Sequence, residues 1–192
     1  MKKNLLSKNI HQWLLLLVCF VGTLPSWAED YTRDGIIYYL DRSAKTATVK
    51  GLEDKSATSV EIRSYALGCK VTSIGEDAFK DCRSLTSINI PNSVTNIENH
   101  AFRDCISLTS INIPSSVISI GEGAIQSCRS LTSINIPSSV TSIEGWAFNG
   151  CISLTSINIP NSVTKIESFA FAQCIYNHRT TKTNQKYPSV NL

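Results

Sequence analysis

Apolar and polar residues repeat along the middle of the chain with a period of 23 residues. Four full copies of one string (SIGEDAFKDCRSLTSINIPNSVT in the first) occupy residues 73–95, 96–118, 119–141 and 142–164. A fifth copy starts at Lys165 and keeps the pattern as far as Cys174. A unit this short cannot bury its own apolar face and must stack on its neighbours. The period therefore predicts a solenoid.

Each unit contains one clear strand signal. Ile88 and Ile90 flank Asn89, and this alternation is typical of a strand with one buried face. Pro91 ends the strand because proline cannot donate a hydrogen bond to a sheet ladder. Stacked coils would bring equivalent strands side by side about 4.8 Å apart. We therefore expect a mainly β solenoid with a parallel sheet and little helix.

The string C-x-S-L-T-S-I-x-I-P-x-S-V-T-x-I-x-x-x-A-F resembles the BspA-type leucine-rich repeat of bacterial surface proteins and is similar to treponemal repeats. The resemblance implies a leucine-rich repeat β-solenoid with an N-terminal β-hairpin cap. Residues 35–51 (GIIYYLDRSAKTATVKG) fit that hairpin. Residues 29–72 then hold the cap and a divergent first coil, in which Arg63 stands where the pattern has proline. Repeats follow at 73–174, and a polar tail at 175–192.

Residues 1–28 have the three parts of a secretory signal peptide. A basic start leads into an apolar run at 13–21, and Ser26-Trp27-Ala28 supplies small residues for cleavage. We expect export after cleavage behind Ala28, to the cell surface or the medium. An uncleaved anchor and a lipoprotein signal at Cys19 are the alternatives.

Removal of that segment changes the charge of the protein. The whole chain carries 18 basic and 15 acidic residues. The segment holds Lys2, Lys3 and Lys8 and no acid, so 15 basic residues remain against 15 acidic ones. Nothing in the remaining charge balance suggests a nucleic-acid partner, which would need a basic patch or stripe. No second long apolar run follows, so no membrane span is expected after cleavage.

Five cysteines recur at the repeat period: Cys82, Cys105, Cys128, Cys151 and Cys174. Stacked equivalent positions keep Cβ atoms farther apart than a disulfide allows, about 4.8 Å against about 3.8 Å. No C-x-x-C spacing indicates a metal site. We interpret the series as a buried structural ladder, with neither metal nor cofactor. A Cys69–Cys82 disulfide remains an alternative.

Small polar residues occupy the outward positions of the predicted strands. The resemblance implies that these positions face the concave, ligand-binding surface. The candidate binding residues are Ser87, Asn89, Ser110, Asn112, Ser133, Asn135, Ser156 and Asn158. Their hydroxyls and amides both donate and accept hydrogen bonds, which suits a glycan or an extended protein chain. The alternative is that recent duplication copied these residues without selection for a ligand.

Residues in a catalytic arrangement are not recognisable in the sequence. His100 and His178 are the only histidines after residue 28, and no nucleophile recurs with either. We therefore predict an exported, non-catalytic binding or adhesion module for an extracellular protein or glycan. The alternatives are a structural surface protein that self-associates through its open C-terminal end, and a truncated relic of a longer repeat protein.

Overall fold

A computed structural model of the protein describes residues 29–174. The predicted signal segment and the predicted polar tail lie outside the described residues. The described part has no helix, and so none that could cross a membrane. Its strands are β1 (Glu29–Arg33), β2 (Ile36–Asp41), β3 (Thr46–Leu52), β4 (Ser59–Glu61), β5 (Tyr65–Ala66), β6 (Cys69–Ile74), β7 (Ser87–Asn89), β8 (Asn96–Ile97), β9 (Ser119–Ile120), β10 (Ser133–Asn135), β11 (Ser142–Ile143), β12 (Ser156–Asn158) and β13 (Lys165–Ile166).

The N-terminal cap is an antiparallel meander of β1, β2 and β3. Along β2, Ile36, Tyr38 and Leu40 are buried and the residues between them are more exposed. Asp34 and Gly35 join β1 to β2 with φ values of 53° and 76°. Two positive φ values in succession are what a type I′ hairpin turn requires. The predicted hairpin is confirmed as β2 and β3, and β1 adds a strand that was not predicted.

One row of parallel strands continues from the cap along the solenoid. β3 pairs with β6, which pairs with β8, and β8 with β9. β11 and β13 form a further parallel pair one coil apart. The cap therefore shares a sheet with the first solenoid coils, and its core joins theirs without a break.

A second row contains the predicted Ser-Ile-Asn strands. β4 pairs in parallel with β7, and Val60 lies opposite Ile88. This register puts Arg63 in the position of Pro91. Ile74 lies 14 positions after Val60, whereas Ile97 lies nine positions after Ile88. The extra residues form the short β5–β6 hairpin.

The third coil departs from regular strand pairing in this row. Residues 110–112 belong to no strand, although Ile111 is buried and its neighbours are exposed as in the other coils. The adjoining backbone bonds are long: Thr109 N–H donates to Thr86 O over 3.3 Å, and Thr132 N–H donates to Thr109 O over 3.4 Å. The parallel sheet is therefore interrupted at this coil.

The remaining segment of each coil is a tight turn with the sequence Ala-Phe or Ala-Ile. The Phe79 and Phe102 rings stack with centroids 5.2 Å apart, and Phe148 and Phe171 repeat that distance. Ile125 takes the same buried position in the third coil. The backbone N–H groups of the first four of these residues along the chain each donate to an alanine carbonyl of the next coil, as from Phe79 to Ala101 over 2.7 Å. Backbone bonds and a side-chain ladder thus hold successive turns together.

Candidate binding surface

All eight predicted binding residues are exposed, and we call the surface they form the strand face. In β7, β10 and β12 the serine and the asparagine are exposed while the isoleucine between them is buried. Ser110 and Asn112 are exposed in the same way in the third coil. The alternation follows from the two-residue period of a strand. The strand face therefore presents two polar columns along the solenoid.

The asparagine column is partly bonded to itself. Asn135 lies opposite Asn158 in the parallel register, and Asn158 Nδ2 donates to Asn135 Oδ1 over 2.8 Å. Each amide has two donor hydrogens and an oxygen with two lone pairs, so this bond leaves capacity for a ligand. Such a bond also fixes the orientation of both amides. Sequence reasoning placed these residues on one face but did not predict the bond.

The threonines before three of these serines bond through their side chains to the preceding coil. Thr86 Oγ1 donates to the Thr58 carbonyl over 2.8 Å, and Thr155 Oγ1 donates to the Thr132 carbonyl over 3.3 Å. The backbone N–H of each of these threonines donates to the same carbonyl. These hydroxyls therefore hold neighbouring coils together, and the serines and asparagines remain the better candidates for ligand contact.

The first coil adds a charge to this otherwise neutral surface. Glu61 lies opposite Asn89 in the β4–β7 register and is exposed. Beside it is an open cleft of about 450 Å³ between the cap and the first coil. Asp34, Glu53, Asp54 and Arg63 are among the residues that line the cleft. The uncertain register of the first coil kept Glu61 out of the sequence prediction.

The cysteine ladder lies inside the solenoid with every thiol free. Cys82, Cys105, Cys128 and Cys151 are buried, and Cys174 is half-buried. Cys69 is free too, and its Sγ contacts the Asp41 carbonyl, so the alternative Cys69–Cys82 disulfide is not formed.

Each of the last four thiols in the ladder donates to a carbonyl of the preceding coil, as Cys105 Sγ does to Phe79 O over 3.1 Å. Burial raises the pKa of Cys105 and of Cys151 to about 12 because a thiolate would lose its hydration there. Burial likewise raises the pKa of Cys174 to about 11. The ladder thiols are therefore protonated structural donors at neutral pH.

Groups that could hold a metal ion do not converge within residues 29–174. No group of three or more His, Cys, Asp or Glu side chains is placed to hold a metal ion there. The imidazole of His100 packs over Gly123, where an added Cβ would lie 2.4 Å from Nδ1. His100 Nδ1 is buried and makes no hydrogen bond within this part of the chain. His178 lies outside the described residues.

A left-handed backbone position recurs in every coil, and we call it the turn slot. The residues there are Asp77, His100, Gly123, Trp146 and Phe169, with φ between 53° and 60°. Glycine and, to a lesser degree, aspartate tolerate this region, whereas bulky side chains are strained in it. Trp146 and Phe169 are nevertheless 41% and 44% exposed. Sequence reasoning treated this position only as variable; the glycine in one copy was the available signal for its conformation.

Stacked coils, parallel strand rows and the absence of helix from the described residues define a β-solenoid of leucine-rich repeats. The model of the BspA-type leucine-rich repeat region matches residues 53–186 in six copies, which is more than half of the chain. The chain therefore belongs to the BspA-type leucine-rich repeat family.

Solved bacterial structures share this fold. A leucine-rich cell surface protein from Faecalibacterium prausnitzii is 28% identical with a TM-score of 0.61, and the match covers 79% of this chain and 48% of that one. A leucine-rich repeat protein from Bacteroides capillosus is 26% identical with a TM-score of 0.51, covering 71% and 96%. The chain thus spans about half the length of the Faecalibacterium protein. No curated protein matches it.

Proposed function

We propose that this protein is an exported, non-catalytic binding module that engages an extracellular protein or glycan through the strand face. One observation carries the proposal: the four Ser-Ile-Asn copies expose their serines and asparagines and bury the isoleucines between them. A face of regularly spaced hydroxyls and amides fits a ligand that has its own repeated hydrogen-bonding groups. The concave position that the family resemblance implies for this face supports the same conclusion.

Export and surface location are part of the proposal. The signal-like segment at residues 1–28 supports export. The Faecalibacterium relative is described as a cell surface protein, which supports a surface role for this chain. The non-catalytic assignment is supported by the repeat family.

The test replaces Asn112 and Asn135 by arginine in the full chain expressed for export. Two long cationic side chains would cover the middle of the neutral strand face. Binding to a panel of extracellular matrix proteins, epithelial cells and glycans should then fall at least about tenfold, which corresponds to about 1.4 kcal/mol. Unchanged binding would exclude the strand face as the ligand surface.

A matched control is available in the same two coils. Ser115 and Ser138 are exposed on the turn after the proline, away from the strand face. A Ser115→Arg/Ser138→Arg variant adds the same two charges in neighbouring coils and should bind as the unmodified protein does. Equal loss in both double variants would mean that net charge, and not the strand face, controls binding.

Self-association through the C-terminal coil is the second candidate function. Ile159 and Ile166 are half-buried, whereas their counterparts Ile136 and Ile143 are 1% and 0% exposed. A second copy could cover this apolar edge. Sedimentation should then show concentration-dependent oligomers that an Ile159→Lys variant lacks. A protein that stays monomeric at high concentration would exclude this candidate.

A further inference from the structure

The turn slot changes character along the solenoid and ends in two exposed aromatic rings. The rings of Trp146 and Phe169 stack with centroids 5.7 Å apart and planes 14° from parallel. The buried rings of the same two turns, Phe148 and Phe171, form a separate stack inside the solenoid. The Trp146 and Phe169 rings lie partly exposed on the turn surface, and we call this stacked pair the aromatic platform.

The left-handed backbone conformation at both positions is unfavourable for large aromatic side chains. Both residues have left-handed φ values, 53° for Trp146 and 60° for Phe169. The chain uses glycine at the same position in the third coil and aspartate in the first. Backbone strain of this kind clusters at functional sites, so its presence at two exposed aromatic residues points to a surface role.

The last three turns of the described residues, which include both aromatic residues, contain no charged side chains, unlike the first two turns. The turns at 77–81 (DAFKD) and 100–104 (HAFRD) contain aspartate with lysine or arginine. The turns at 123–127 (GAIQS), 146–150 (WAFNG) and 169–173 (FAFAQ) contain no charged residue. The platform thus lies on a neutral part of the solenoid. A charged ligand would find no counter-charge in these three turns.

Amide side chains occupy the same neutral turns as the platform. Gln126 and Asn149 are both half-buried, and Gln126 Nε2 donates to Asn149 Oδ1 over 3.4 Å. The backbone N–H of Asn149 donates to the carbonyl of Trp146, which fixes the amide three residues after the ring. The neighbouring carboxylate of Glu167 is paired with Lys165 over 2.6 Å. Glu144, two residues before Trp146, accepts a hydrogen bond from Ser142 Oγ over 2.8 Å. The polar groups within the turns are therefore neutral, and the carboxylates flank these turns.

We propose that the aromatic platform, with the amides of Gln126 and Asn149, is a second binding site and that its ligand is a neutral glycan. The apolar C–H groups of a sugar ring pack on the exposed part of aromatic rings, and the hydroxyls around the sugar exchange hydrogen bonds with amides. This site lies on the turn segment, apart from the strand face, and does not depend on the function proposed above.

The experiment measures binding of neutral hexasaccharides (cello-, xylo-, manno- and chitohexaose) to the full chain expressed for export, by calorimetry. Oligogalacturonate serves as the charged comparator. At least one neutral hexasaccharide should bind, and oligogalacturonate should bind more weakly. A Trp146→Gly/Phe169→Gly variant, which copies Gly123, should lose at least about tenfold in affinity.

Two further variants keep the result decisive. Trp146→Phe retains an aromatic face and should bind within a few-fold of the unmodified protein, so it separates ring loss from misfolding. Ile118→Thr removes another exposed apolar side chain and copies Thr95 and Thr141, and it should not change affinity.

Three results would overturn the proposal: no neutral hexasaccharide binds, oligogalacturonate binds more tightly, or the double glycine variant binds normally. Normal binding by the double glycine variant together with loss in the Asn112→Arg/Asn135→Arg variant would reject the platform and support the strand face. Loss in the platform variant alone would support the platform and leave the strand face without a glycan.

Discussion

Phe102 allows the interior ladder to be tested with a large and specific effect. Its side chain is fully buried and its ring stacks on Phe79 at 5.2 Å with planes 5° apart. Burial of such a side chain is worth about 1.5–3 kcal/mol and the stacked pair about 0.5–1.5 kcal/mol more. Replacement by alanine also leaves a cavity between coils. We expect Phe102→Ala to lower the free energy of unfolding by about 3–5 kcal/mol.

The chain supplies its own comparison for this substitution. Ile125 fills the same ladder position in the next coil and is also fully buried. Phe102→Ile should therefore cost only about 1–2 kcal/mol, since most of the volume is kept. Urea unfolding followed by far-UV circular dichroism measures both values, and Phe102→Ala should lower the Tm by roughly 10 °C.

Two results would refute this reasoning. A cost below about 1 kcal/mol for Phe102→Ala would mean that the ring is not packed between coils. Equal costs for the alanine and isoleucine variants would mean that lost volume is not the cause. Surface Ile118→Thr, at a side chain 58% exposed, should change the free energy of unfolding by no more than about 0.5 kcal/mol and serves as the control.

Three further predictions concern the turn slot, the thiols and export. Gly123→Ala should lower the free energy of unfolding by about 1–2 kcal/mol in urea, because φ is +56° and the new Cβ would meet His100. The same substitution should cost less when it is made in a His100→Ala variant. An equal cost there would mean that backbone strain alone causes the loss. The free energy of unfolding should fall as pH rises from about 9 towards 12, by up to about 1.4 kcal/mol per pH unit per thiol. The reason is that Cys105 and Cys151 have raised pKa values when folded, so these thiols ionise first in the unfolded chain. A Cys105→Ala/Cys151→Ala variant with the same dependence of stability on pH would contradict this. Mass spectrometry of the exported protein should show loss of residues 1–28, and a retained segment would favour the anchor.

The repeat made much of the fold predictable from the sequence alone. Alternation at Ile88-Asn89-Ile90 predicted the buried and exposed sides of the strand, and this was confirmed because a strand has a strict two-residue period. Gly35 marked the start of the predicted hairpin, but the Asp34–Gly35 turn and strand β1 before it were missed. Glu61 was missed because the insertion before Ile74 hides the alignment of the first coil.

Contacts between the side chains of neighbouring coils could not be predicted from the sequence of one repeat. The bond from Asn158 to Asn135 needs the parallel register, which comes from backbone pairing across coils. The thiol donation from Cys105 to Phe79 likewise joins residues 26 positions apart. The stack of Trp146 on Phe169 depends on a left-handed backbone conformation that their own residue types disfavour.

The sequence by itself determined the period, the solenoid class and the polarity of each strand face, because these follow from local alternation and from the need of a small unit to stack. Only the tertiary structure decided which polar groups bond between coils and which stay exposed. Thr86 and Ser87 are adjacent polar residues with similar side chains, yet Thr86 bonds to the preceding coil and Ser87 faces solvent. The difference depends on the position of the neighbouring backbone, which the sequence of one coil does not contain.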